Sequence, residues 1–101
     1  MSAYLIYRAT VHDAEAYAGY MALTPGIIAQ FGGRFLVRGG RSETLEGENE
    51  GRRTIIVEFP DFEAARRFYD SPIYAEARAI REDVASVQIV ITDGEPGETG
   101  L

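Results

Sequence analysis

Thr54-Ile55-Ile56-Val57-Glu58-Phe59, stopped by Pro60-Asp61, is the stretch whose reading decides the fold. Successive residues of a strand point to opposite faces. Ile55, Val57 and Phe59 therefore share one apolar face, while Thr54, Ile56 and Glu58 share a mixed one. The same division runs through three more segments. Leu5/Tyr7, Phe35/Val37 and Val87/Ile89/Ile91 match the apolar set. Tyr4/Ile6/Arg8, Arg34/Leu36/Arg38 and Gln88/Val90/Thr92 match the mixed one, each with an aliphatic centre and mostly polar ends. One sheet with a dry face and a half-dry, charged face follows.

The segments between the strands carry helix signals. Strand one spans about 3–9, and Asp13 can cap a helix by accepting hydrogen bonds from first-turn amides. Tyr17, Tyr20, Met21, Ile27, Ile28 and Phe31 give that helix its stripe. Pro25-Gly26 predicts a kink or a break, because proline lacks an amide donor and clashes with the preceding turn. Gly32-Gly33 closes the segment as a C-cap. Strand two spans about 34–38, and the polar, turn-rich span 41–52 predicts a mobile hairpin loop. Strand three covers 53–59. Asp61 caps a second helix, and Ser71-Pro72 starts a further one, proline being free at the first helical position. Strand four covers about 86–92.

The element order is strand–helix–strand twice over. With right-handed crossovers, it predicts an α+β, ferredoxin-like βαββαβ sandwich with an antiparallel sheet in the order 4-1-3-2 and both helical segments on one face. The domain is expected over residues 1–93, with 94–101 as a flexible tail. Taking strands one and three to run one way, and two and four the other, gives three rows on the open face. The first is Gln88, Arg8, Glu58, Arg34; the second is Val90, Ile6, Ile56, Leu36; the third is Thr92, Tyr4, Thr54, Arg38.

Composition narrows the chemistry. At 101 residues the chain fits one domain, which buries only roughly 60–68% of its unfolded surface, so an apolar second face asks for a cover. The net charge of −6 argues against nucleic-acid partners, which require a cationic stripe, and against anionic membrane surfaces. All ten basic residues are arginine, which excludes Schiff-base and phosphate-loop lysines and leaves guanidinium groups suited to carboxylates. Genome-wide codon bias is the plainer explanation. There is no cysteine, hence no disulfide, thiol nucleophile or thiolate metal site, and His12 is the lone histidine. No metal and no cofactor are expected. Without a leader-like start or a long apolar run, a cytoplasmic location is expected.

Gly32-Gly33-Arg34, Arg38-Gly39-Gly40, Glu46-Gly47, Glu58-Phe59-Pro60, Phe68-Tyr69-x-Ser71-Pro72-x-Tyr74 and Arg81 together resemble a bacterial family, domain of unknown function 1330. The resemblance covers about residues 3–92. It implies the dimeric α/β-barrel form of the ferredoxin-like fold, in which two open sheet faces meet across a two-fold axis, and it implies no established activity. Phe68 stands where the family often has tryptophan, a departure that bears on pocket size.

Several residues then invite weighing. Arg8, Glu58 and Arg34, placed in one row, read as an anion site or as a cross-strand ion-pair network. Arg38 with Gly39 reads as an anion-binding turn or as a glycine turn whose arginine pairs with an acid such as Glu46. Tyr69, Ser71 and Tyr74 flank a helix break and read as proton-donating phenols or as core tyrosines beside a capping serine. His12 reads as a general base or as a surface histidine. Arg81 reads as a ligand contact or as one half of a salt bridge. Two functions remain open. One is a homodimer that binds or converts a small anionic or aromatic molecule in a pocket between sheet and partner. The other is a non-catalytic dimeric structural or accessory stress module.

Overall fold

The structure is a computed structural model and describes residues 1–95; the expected tail, from residue 96 on, lies outside the described residues. Its elements are β1 (Ala3–Val11), α1 (Ala14–Gln30), β2 (Arg34–Arg38), β3 (Arg53–Phe59), α2 (Phe62–Asp70), α3 (Pro72–Arg81) and β4 (Ala85–Asp93). The strands form one sheet in the order β2-β3-β1-β4, with every neighbouring pair antiparallel. This is the expected ferredoxin-like α+β arrangement, read from the other edge. No described helix is long and apolar enough to cross a membrane.

The alternation does what elementary burial requires. On β1, Ala3, Leu5, Tyr7 and Ala9 are buried, while Tyr4, Ile6 and Arg8 are half-exposed. Val57 and Phe59 complete the inner face of β3, and these residues pack in one core with Tyr20 and Ile28 of α1, Phe68 of α2 and Tyr74 of α3. Full burial of such side chains contributes about 1.5–3 kcal/mol each, enough to fix the register against a one-residue slip.

The helix ends follow their sequence signals. Asp13 accepts from the Ala16 amide at 3.1 Å, and Asp61 accepts from the Ala64 amide at 2.7 Å. At the end of α1, Gly32 takes φ +78°. Its amide donates to the Ala29 carbonyl and that of Gly33 to Ile28, the two bonds of a Schellman cap. The break at Pro25 does not occur: α1 runs unbroken through it. Proline deprives only the Met21 carbonyl of its donor, on an exposed turn, and the Thr24 hydroxyl donates to the Tyr20 carbonyl at 2.7 Å. Core contacts on both sides of the proline hold the helix together.

Two corrections concern the open face. β1 and β3 are antiparallel, with Tyr4 opposite Glu58, Ile6 opposite Ile56 and Arg8 opposite Thr54. The central aliphatic row of Val90, Ile6 and Ile56 survives, because it sits where reversing a strand changes nothing. The outer rows exchange members: Arg8 lies with Gln88 and Thr54, while Glu58 lies with Tyr4 and Arg34. Arg8, Glu58 and Arg34 are therefore not one row.

The second correction is a β-bulge in β2. Phe35 pairs with Val57, but Val37 pairs with Ile56 and Arg38 with Ile55. Leu36 is the extra residue, and a bulge of this kind inverts the facing of everything beyond it. Val37 turns to the open side, where it and Leu36 are 39% and 46% exposed. Arg38 turns to the helix side.

Candidate functional site

The re-aimed Arg38 stands at the mouth of a cavity between α1 and the inner face of the sheet. Its enclosed volume is about 50 Å³, room for a few ordered waters, and the empty space reaches about 520 Å³ only when the open mouth is counted. Tyr7, Tyr17, Tyr20 and Tyr74 supply its polar edges, and apolar side chains such as Leu5, Ile28, Val57 and Phe68 supply the rest. Met21, Pro25 and Phe35 frame the opening beside Arg38 and Arg53.

The two mouth arginines are held without acids. The Arg38 guanidinium lies 4.1 Å from the Phe35 ring centroid, within reach of a cation–π attraction. Neither it nor Arg53 forms an ion pair among the described residues, and the Arg53 Nε is buried with no hydrogen-bond partner. Gly39, at φ +73°, lets the chain turn away directly over Arg53. A Cβ there would stand 2.6 Å from the Arg53 Cζ. Of the two readings of Arg38, pairing with an acid such as Glu46 is not realised among the described residues.

Behind the mouth the phenols form a connected set. The Tyr7 and Tyr17 hydroxyls are 2.7 Å apart, as are those of Tyr20 and Tyr74. Arg81, 7% exposed, donates to the Tyr74 hydroxyl at 3.2 Å. Its guanidinium lies 5.3 Å from the Tyr20 ring centroid and 5.9 Å from that of Tyr7. Burial pushes the Tyr7 and Tyr74 hydroxyls well above the ordinary phenol range, so both are neutral at physiological pH. Within each pair one O–H donates to the other oxygen and one stays uncommitted. The cavity therefore offers neutral donors inside and cations at its rim.

The other candidates fall elsewhere. Ser71 caps α3: its hydroxyl donates to the Phe68 carbonyl at 2.8 Å and accepts from the Tyr74 amide at 3.2 Å. Tyr69 accepts from Arg78 at 2.7 Å on the far side of the helix pair. His12 is exposed and bonds the Ser86 hydroxyl at 2.9 Å, away from the cavity. On the open face Arg34 pairs with Glu58 at 2.7 Å, holding the Glu58 carboxyl below the usual range. Arg8 reaches Glu50 at 3.5 Å. Arg81 forms no ion pair among the described residues, against the expectation of a salt bridge. Among the described residues no group of three or more His, Cys, Asp and Glu side chains could hold a metal ion.

Sequence reasoning missed Arg53, Tyr7, Tyr17 and Tyr20 as site residues. A signal existed for Arg53, which shares the two-residue period of Ile55, Val57 and Phe59 and so brings a charge to a dry face. The tyrosines gave none, because a tyrosine at core spacing reads the same whether or not a cavity adjoins it.

A family model described as a domain of unknown function (DUF1330) matches residues 2–95. The chain belongs to the DUF1330 family. Among solved structures, a protein of unknown function from Rhodopseudomonas palustris superposes with a TM-score of 0.73 at 20% identity, covering 92% of this chain and 82% of that one. A dimeric ferredoxin-like protein of unknown function from Jannaschia sp. CCS1 gives 0.68 at 14% identity, covering 93% and 100%. SnoaB, a cofactor-independent oxygenase from Streptomyces nogalater, gives 0.60 at 16% identity, covering 96% of each chain. At these identities the likeness is one of fold. No curated protein sequence matches the chain.

Proposed function

We propose that this DUF1330 protein is a cytoplasmic homodimer that binds a small aromatic anion in the tyrosine-lined cavity, with no metal or tightly bound cofactor. The observation that carries this reading is the pair of acid-free arginines, Arg38 and Arg53, at the mouth of a mostly apolar space. An aromatic ring would enter at the opening beside Met21, Pro25 and Phe35, displacing side chains to reach Leu5, Ile28 and Val57, and its carboxylate would meet the two guanidinium groups. A phenolic or quinone oxygen at the deep end would accept from an uncommitted tyrosine O–H. The site thus lies on the helix side of the sheet, not between sheet and partner.

The dimer rests on the open face. Leu36, Val37 and Val90 are exposed there beside half-buried Ile6 and Ile56, and the solved ferredoxin-like relative from Jannaschia is described as dimeric. Pairing two such faces gives the self-complementary contact a two-fold axis requires.

The test is calorimetric titration with benzoate and 4-hydroxybenzoate against benzamide as the neutral control, on the wild type, Arg38→Ala and Arg53→Ala. The carboxylates are expected to bind and benzamide to bind more weakly. Each substitution should cost about 1.5–3 kcal/mol, roughly a 10- to 150-fold loss. Carboxylate binding indifferent to both arginines, or no binding at all, would refute the site and favour the non-catalytic dimeric module.

A further inference from the structure

A second opening lies on the other side of the helix pair, between α2, α3 and the inner face of β4, and the tyrosine-cavity reading makes no use of it. Val87, Ile89 and Ile91 form its floor. Each is only half-buried, although all three face the helix layer. The walls carry Arg66, Tyr69, Arg78, Arg81 and Glu82. The groove has two unlike ends. α3 finishes at Arg81, four residues before β4 begins, so its arginines stand near Val87. α2 begins at Phe62, just after β3 ends at Phe59; Phe59 pairs with Ala3, whose other partner is Asp93. Phe62 therefore stands towards Ile91. From Val87 to Ile91 the floor runs about 14 Å.

Arg81 supplies the independent sign of a ligand. It is more than nine-tenths buried, lines this groove, and its Nε has no hydrogen-bond partner. No acid among the described residues lies within ion-pair distance of it. A buried cation with an idle donor is costly unless an anion or water completes it. Arg78 donates to the Tyr69 hydroxyl at 2.7 Å and has, among the described residues, only the distant Glu82, 4.0 Å away, as an ion-pair partner, while Tyr69 keeps its own O–H to donate. A chain with a net charge of −6 thus sets two arginines and a phenol over an aliphatic floor, with Glu82 on the rim beside Arg78 and Arg66 on the α2 wall already paired to Asp70.

The geometry points to a binding site for a medium-chain aliphatic carboxylate. The carboxylate sits at Arg81, Arg78 and the Tyr69 O–H, and the alkyl chain lies along Val87, Ile89 and Ile91 towards Phe62. The length of the floor sets the ligand length, and the cationic end sets its orientation.

The test is a titration of the isotope-labelled full chain with hexanoate, octanoate and decanoate, each below its micelle concentration, followed by amide NMR. Shifts should centre on Arg81, Val87, Ile89 and Ile91. Affinity should rise roughly three- to fourfold per added methylene, and decyltrimethylammonium should not compete. Ile89→Asp, which puts a carboxylate on the floor, and Arg81→Gln should each weaken decanoate at least tenfold, while Arg38→Ala should leave it unchanged. Should Arg81→Gln fail to fold, the wild-type map and Ile89→Asp still decide. Shifts centred on Met21 and Phe35, affinity independent of chain length, competition by the cationic amphiphile, or no shifts at all would each overturn the assignment. Because benzoate binding is read at Arg38 and Arg53, failure of one site is separable from failure of the other.

Discussion

Replacing Gly39 by alanine perturbs the fold and the cavity mouth by two separate physical routes, and the geometry gives a size for each. The backbone at Gly39 has φ +73°, a region that costs an L-residue about 1–2 kcal/mol. For a domain of this length that amounts to a fall in melting temperature of about 4–16 °C. The added Cβ would also stand 2.6 Å from Cζ and 2.9 Å from Nε and Nη1 of Arg53. Those atoms end a flexible side chain, so the guanidinium moves aside at little cost to folding and the mouth loses one cation. Benzoate affinity should then fall about as far as in Arg53→Ala, at least tenfold for a lost charged hydrogen bond. Gly40→Ala is the control, since nothing lies within 4 Å of a Cβ there and its φ is unexceptional. Scanning calorimetry and titration on Gly39→Ala, Gly40→Ala, Arg53→Ala and the Gly39/Arg53 double variant read both routes. The double variant should keep the melting penalty of Gly39→Ala and bind no more weakly than Arg53→Ala alone. A Gly39→Ala protein that melts within about 2 °C of wild type and binds benzoate normally would refute the reasoning.

Ile56→Asp places a charge in the middle of the open-face aliphatic row, and sedimentation should show monomer or aggregate; an intact dimer of normal stability would remove sheet-to-sheet pairing. Ser71→Ala removes the α3 cap and should lower stability by about 1 kcal/mol in a chemical unfolding curve while leaving benzoate affinity within about twofold. Hydrogen bonds from the Arg52 guanidinium and backbone amide hold the Glu50 carboxyl down to about 2, from an ordinary 4.5. A carboxyl depressed in the folded state stabilises above its unfolded pKa and loses that contribution as pH falls through its folded one. The melting-temperature gap between wild type and Glu50→Gln should therefore narrow as pH drops from about 5 to about 2.

The architecture was legible because its signals are local and repeated. The period-two apolar sets, Asp13, Asp61 and Ser71 as caps, and Gly32-Gly33 as a stop each state a backbone requirement that few other conformations meet. Strand direction across β1 and β3 was harder, since Ile6 opposite Ile56 is the same pair in either orientation and only the ends tell them apart. Pro25 does not break α1 because the rule describes an isolated helix, whereas α1 is held by core contacts on both sides of the proline. The bulge left no mark in the sequence: Leu36 and Val37 are both aliphatic, and no glycine stands between Arg34 and Arg38. Arg38 was thus singled out as a residue and assigned to the wrong face. The cavity was illegible for a related reason, because vacancy between well-chosen core residues depends on packing that no single position encodes.

Leu36 also has a bearing on how such a cavity could arise. In a strand of unbroken alternation, gaining or losing one residue transfers every later side chain to the opposite side of the sheet. Here the surplus is absorbed within β2, and what it delivers to the helix side is a permanently charged guanidinium beside an aromatic ring. Because the bulge takes up the extra residue, deleting Leu36 would leave Arg38 facing the helices, whereas straightening the strand at its present length would return it to the open face. Two relatives with the same five residues in this strand would present the arginine to opposite sides of the sheet if one paired through a bulge and the other regularly, with the fold unchanged.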